Sequence, residues 1–115
     1  QNGKELSNSY LAGNIFENFV VNEVKKSWAH NGKEANFFFF RDNTGMEIDL
    51  IIHAQGKYSC VEIKSKTSPD AHDAKWLKKA EDLLPDLAKN ASVVCMTEKT
   101  YPLSPSIVAH SIWQI

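Results

Sequence analysis

From Ser9 to Trp28 the chain reads SYLAGNIFENFVVNEVKKSW, and Ala12, Phe16, Phe19, Val20, Val24 and Trp28 recur at helical spacing. Asn14, Asn18, Asn22 and Lys25 gather on the opposite side, so the stretch predicts an amphipathic helix. Ser7 or Asn8 is placed to cap its start, and Gly32 in HNGKE is placed to stop it. Two acids interrupt the apolar arc. On a wheel of about 100° per residue, Glu17 falls between Val24 and Trp28, and Glu23 between Phe16 and Phe19. A carboxylate on that side needs a cation, a donor or a proton, because leaving it unpaired is costly.

The pattern then changes period. NFFFFRD, from Asn36, is a continuous aromatic run that reads as a strand buried on both faces, and NTG turns the chain. MEIDLIIH alternates before becoming apolar, AQGK turns, and YSCVEIKSK returns, which is a hairpin signal. SPDAHDAKWLKKAEDLL reads as a second helix, with Ser68 as N-cap, Pro69 at its first position, acids in its opening turns and Pro85 ending or kinking it. ASVVCMT and SIVAHSIWQI are two further strands, separated by a loop that Pro102 and Pro105 break. No repeat or low-complexity tract divides the chain, so residues 1–115 read as a single domain. Helix, three strands, helix, two strands predicts a mixed central sheet flanked by helices, in the α/β or α+β class. The helical crossover leaves the strand after it free to run parallel to the strand before it.

Composition supports one ordinary globular domain. The 115 residues are 43% hydrophobic, 23% charged and 10% aromatic, enough for a single core and unlike a disordered chain. No apolar run is long enough to span a bilayer, and QNGKELSNSY lacks a signal-peptide pattern, so a cytoplasmic protein without a membrane partner is expected. The chain begins at Gln1 and runs almost directly into a helix, which reads as a piece of something longer. Cys60 and Cys95 fit no metal or redox spacing and read as small buried residues. The net charge of −1 gives no field to capture nucleic acid unaided, and Arg41 is the only arginine. That disfavours a stand-alone reader of base edges but not an enzyme that meets phosphate locally.

The hairpin concentrates the candidate chemistry. If Gln55 and Gly56 form a two-residue turn, Ala54 opposes Lys57, Asp49 opposes Glu62 and Glu47 opposes Lys64. All four charges then share a face, and Ile48, Leu50, Ile52, Val61 and Ile63 share the other. Directly opposed residues have Cβ atoms about 4.5–5.5 Å apart, where like charges repel. A divalent cation between Asp49 and Glu62 would account for the pairing, since Mg²⁺ commonly uses one or two carboxylates with water and phosphate oxygens. Lys64 would then orient a water or neutralise charge on a phosphoryl group. A plainer reading has Lys64 bridging Glu47 and Glu62 on a wet sheet face.

GNIFENFVVNEV, FFFFRDNTGMEIDLII and VEIKSK together resemble the PD-(D/E)XK nuclease superfamily, and more narrowly the uncharacterised domain at the C-terminus of many prokaryotic AAA-type ATPases. The motifs cover roughly residues 13–67; the remainder agrees only in the order of its elements. The resemblance implies a restriction-endonuclease-like core and a phosphodiester hydrolase using Mg²⁺ or Mn²⁺. It also implies DNA, or RNA, as substrate and the ATPase domain of a parent chain as partner. Position by position it makes Asp49 the motif aspartate, Glu62 the second acid, Lys64 the motif lysine and Glu17 the first-helix acid that helps hold the metal. Ile48 stands where the name-giving proline would be. The alternative is a catalytically inactive nuclease fold used for docking or recognition.

Other features carry less. His30, His53, His72 and His110 are scattered, although His53 falls on the Asp49 side of its strand. Lys75, Lys78 and Lys79 form a basic strip that reads as a solvated helix face, with contact to a DNA backbone as the alternative. The three tryptophans and Phe37 to Phe40 read as core or domain interface rather than base-stacking platforms. No Walker-type phosphate loop occurs, so any ATP would bind elsewhere in a parent protein.

Overall fold

A computed structural model describes the backbone of residues 2–86 and 90–115 and the side chains of residues 11–86 and 90–115. Helix α1 spans Asn2–His30. It starts well before the expected Ser9, so Ser7 and Asn8 lie inside it rather than at its cap; their side chains are outside the described residues. Its end follows the predicted chemistry. Gly32 adopts φ +68, its amide donates to Ala29 O, and the Lys33 amide donates to Trp28 O, the paired bonds of a Schellman stop.

Three strands follow: β1 (Asn36–Arg41), β2 (Glu47–Ala54) and β3 (Lys57–Ile63). β1–β2 and β2–β3 are antiparallel. The turn between β2 and β3 is Gln55 and Gly56, both at positive φ, and Ala54 opposes Lys57 as the sequence predicts. A short 3-10 turn, Ala71–Ala74, then leads into α2 (Lys75–Leu83). The 3-10 turn is capped by Asp70 rather than Ser68, and α2 itself begins after Ala74 without a side-chain cap. The Asp70 side chain accepts from the His72 amide, and the Asp70 amide donates to the Asp73 side chain, a reciprocal capping box. Pro69 lies buried just before it, its carbonyl accepting the Tyr101 hydroxyl at 2.7 Å.

After α2 come β4 (Asn90–Cys95), β5 (Tyr101–Pro102) and β6 (Ile107–Ser111). Only the first half of SIVAHSIWQI is strand; Ile112–Gln114 coil into a 3-10 turn capped by Ser111. The fold is α+β, with a six-stranded mixed sheet in the order β1-β2-β3-β4-β6-β5. β3, β4 and β6 run parallel. The α2 crossover supplies the first of those parallel connections, as its position predicts. Tyr101–Pro102 is too short for a periodic signal and sits on the edge, where proline is tolerated.

The core has two layers, one on each face of the sheet. Val20 and Val24 of α1 pack with Leu50, Ile52, Val61, Ile63, Val94 and Ile112. Leu77 and Ala80 of α2 pack with Ile48, Ile51, Cys60, Val93 and Ile107. Ile48 is therefore on the α2 side, not beside Leu50 as strict alternation requires. The cause is an irregularity in β2: Phe38 opposes Ile51 but Phe40 opposes Ile48, so β2 carries an extra residue at Asp49 and Leu50.

The aromatic run also differs from expectation. β1 is an edge strand, and Phe38 and Phe39 are exposed while Phe37 and Phe40 pack inward. Phe19 and Trp113 are exposed too; Trp28 and Trp76 are partly buried against the two layers. Cys60 and Cys95 are buried thiols. Among the described residues no helix is long and apolar enough to cross a membrane.

Candidate active site

The regular β2–β3 ladder runs from Ala54 opposite Lys57 to Leu50 opposite Val61. Beyond it the carboxylates take over the pairing. Glu62 Oε1 accepts from the Asp49 amide at 3.0 Å, and Asp49 Oδ2 accepts from the Ile63 amide at 2.8 Å. Each acid thus bonds the opposing strand's backbone, which draws the two side chains into the gap between the strands. The extra residue that β2 carries relative to β1 falls at this same point, at Asp49 and Leu50.

Glu62 is only 2% exposed. Burial and the neighbouring Asp49 carboxylate push its acid up to about 8, so the neutral form predominates at neutral pH. Asp49, partly buried, is also raised by burial, while the Ile63 amide, Lys64 and the Glu62 carboxyl hold it down. The pair is best described as two acids sharing a proton, because like charges at this separation do not both ionise without a cation. The same burial, with Glu62, pushes the Cys60 thiol up to about 11 and keeps it unreactive.

Glu17 of α1 lines a cavity together with Asp49. Burial raises its acid, followed by the charges of Asp49 and Glu47, against lowering by Arg41 and Lys64. Lys64 acts electrostatically on Glu17, Asp49 and Glu62. It belongs to none of the ion pairs found among the described residues, so the bridge from Lys64 to Glu47 and Glu62 that the plainer reading supposes does not form. Glu47 instead meets Arg41 across β1–β2 at 3.3 Å. The Lys64 backbone amide donates to Val94 O, fixing Lys64 at the end of β3 against β4.

The four residues that the sequence singles out, Glu17, Asp49, Glu62 and Lys64, therefore converge on one end of the sheet. They do not make a ready cage: among the described residues no group of three or more His, Cys, Asp or Glu side chains is arranged to hold a metal ion. Asp49 and Glu62 alone supply an all-oxygen pair, which fits Mg²⁺ or Mn²⁺ with the remaining positions filled by water or phosphate. Other candidates fall away. Glu23 pairs with Lys26 at 3.3 Å, and His53 stacks on Tyr58 with ring centroids 4.2 Å apart at the turn end of the hairpin. Lys66 is taken by the buried Asp73 at 2.8 Å. Burial acts to raise Asp73, but the Lys66 ammonium and the Asp70 amide hold it below the usual carboxylate range. Lys75 and Lys79 lie over the Trp76 ring, at 4.8 and 6.0 Å.

A cavity of about 400 Å³ opens beside the acids, lined by Glu17, Val21, Lys25, Phe37 to Arg41 and Glu47 to Leu50. Of three larger hollows, those of about 820 and 870 Å³ lie toward the other end of α1 and that of about 480 Å³ lies beside Lys57 and Tyr58, and none includes a member of the acid pair. Arg41 and Phe39 are the neighbours that sequence reading passes over. Their signal is the register of β1 on β2, which periodicity does not reveal.

The profile of DUF4143, a domain of unknown function, matches residues 12–115. The chain belongs to the DUF4143 family. Neither the curated proteins nor the solved structures contain a significant match to it. The matched span of this DUF4143 chain takes in Glu17, Asp49, Glu62 and Lys64, and both core layers.

Proposed function

We propose that the chain is a restriction-endonuclease-like domain that hydrolyses phosphodiester bonds in DNA with Mg²⁺ or Mn²⁺, in the cytoplasm, as part of a longer AAA-type ATPase. The observation that carries this reading is the Asp49–Glu62 pair. Two carboxyls are drawn together where the β2–β3 ladder ends, burial pushes the acid of Glu62 up, and among the described residues no ion pair with a cationic side chain joins either of them. A structural ion-pair network would have placed Lys64 between them. Perturbed acids of this kind mark functional sites more often than structural ones.

Asp49 and Glu62 would hold the metal, and Glu17, farther back on α1, would support it through water. The bound metal would polarise the phosphoryl oxygens and lower the pKa of water. Lys64 orients the attacking water by donating to its oxygen and offsets charge developing on phosphorus. The water oxygen adds to phosphorus, its proton passes to solvent, and the departing ester oxygen takes a proton from solvent. The Arg41–Glu47 pair fixes the strand end against which Asp49 is aligned.

The test is to incubate the purified chain with single-stranded, duplex and branched DNA and each metal. Mg²⁺- or Mn²⁺-dependent cleavage that falls at least about 100-fold in Glu62→Ala and Lys64→Ala is expected. Absence of cleavage on every substrate, or equal cleavage by Glu62→Ala, rules the enzyme reading out.

A second reading has an observation of its own. Leu11, Ile15 and Phe19 recur at i, i+4 and i+8 on α1 and are 57%, 60% and 49% exposed, with Trp113 and Ile115 also exposed. Such a stripe suits a partner surface. It favours an inactive nuclease fold that docks on the ATPase, for which Asp49→Asn would leave the parent protein's function intact.

A further inference from the structure

The two edges of the sheet are built differently. β5 is two residues long and ends in Pro102, which blunts pairing. β1 has six residues and neither proline nor lysine, and Phe38 and Phe39 on it are 52% and 75% exposed. Successive side chains of a strand point to opposite faces, so this edge exposes one phenyl ring on each side, Phe39 the more fully of the two. Alternation along β1 puts Phe39 on the side of Phe37, which packs into the α1 layer. That is the side on which Glu17 and Asp49 line the cavity of about 400 Å³.

The lining chooses among ligands. Glu17, Glu47 and Asp49 face two cations, and both cations are engaged: Arg41 pairs with Glu47 at 3.3 Å, and Lys25 lies 5.6 Å from the Phe37 ring centroid. A phosphate finds no surplus positive charge there. A neutral aromatic base needs none, because stacking on a phenyl ring depends on its π-face. The volume is in the range of small-ligand sites and accommodates an unstacked nucleotide but not a stacked duplex.

We propose that this cavity receives an unstacked base of a single-stranded polynucleotide, stacked on Phe39, which makes single strands rather than duplexes the substrate class of the adjoining acid pair. The inference rests on the hydrolase reading above and adds the form of substrate to it. Phe39 is a specificity residue in this scheme; it touches the base and takes no part in the chemistry.

The experiment measures binding apart from cleavage. Fluorescence anisotropy in EDTA compares the 115-residue chain's affinity for a labelled oligothymidylate about 12 nucleotides long, an abasic strand of equal length and the corresponding duplex. The oligothymidylate is expected to bind about tenfold or more tightly than either comparator. Phe39→Ala should remove that preference and Phe39→Trp should restore it. Phe39 is exposed, so neither substitution threatens the core. Equal affinity for base-bearing and abasic strands, or an unchanged preference in Phe39→Ala, overturns the inference. So does a Phe39→Ala variant that turns a sedimenting dimer into a monomer with its preference intact, which would assign the edge to a second copy of the chain. Duplex cleavage that depends on Glu62 but not on Phe39 overturns the inference and leaves the hydrolase reading standing. Base-dependent binding without any metal-dependent cleavage does the reverse.

Discussion

Glu62 is a carboxylic acid held where its charged form is most costly, buried among apolar side chains with Asp49 against it. Its acid moves from an ordinary 4.5 to about 8 in the fold. Between those values the folded state keeps a proton that the unfolded chain releases, so stability present at low pH is lost as pH rises toward 8. Asp49, also raised, acts in the same direction. Thermal denaturation should therefore show a melting temperature that falls from about pH 5 to about pH 8.5. Glu62→Gln keeps an oxygen for the Asp49 amide and removes the ionisation. It should flatten that dependence and melt at least about 4 °C higher at the alkaline end. Parallel curves for the two proteins would show that Glu62 is not the group responsible. The opposition of Asp49 and Glu62 was legible in the sequence because Gln55–Gly56 sets a two-residue turn and counting outward does the rest. The side to which Ile48 points was not, because the extra residue in β2 arises from its pairing with β1, a contact that no local pattern encodes.

At the scale of elements, stops were easier to read than starts. Gly32 and Pro85 bound the two helices as backbone chemistry requires, since one supplies a positive φ and the other lacks an amide donor. The start of the second helical segment was misplaced because Ser68 and Asp70 are both capable caps: Asp73, three residues after Asp70, completes the box that opens the 3-10 turn, and α2 follows from Lys75 without a side-chain cap. Asp70→Ala should cost about 1 kcal/mol in chemical denaturation, and Ser68→Ala close to nothing. A larger loss at Ser68 would reverse that assignment. Leu77, fully buried where α2 meets the sheet, should cost about 2–5 kcal/mol on replacement by alanine. β1 shows the limit of composition. Four phenylalanines in a row look like a central strand, but the order of the sheet leaves β1 with one neighbour and two of the rings in water.

Over the whole molecule, the two helices close opposite faces of one mixed sheet, and the acids collect where β2, β3 and α1 meet. The net charge of −1 means that substrate is not drawn in by a long-range field. Affinity for a strand must come from local contacts and cleavage from a cation held by the acids, which is why the metal question governs the functional one. Calorimetric titration of Mn²⁺ into the folded chain at about pH 8, where the Glu62 proton is readily displaced, addresses it without requiring turnover. Saturable binding is predicted, weakened at least about tenfold by Asp49→Asn and by Glu62→Gln while circular dichroism shows both variants folded. Absence of binding, or equal affinity in both variants, would contradict the assignment of the pair as a metal site.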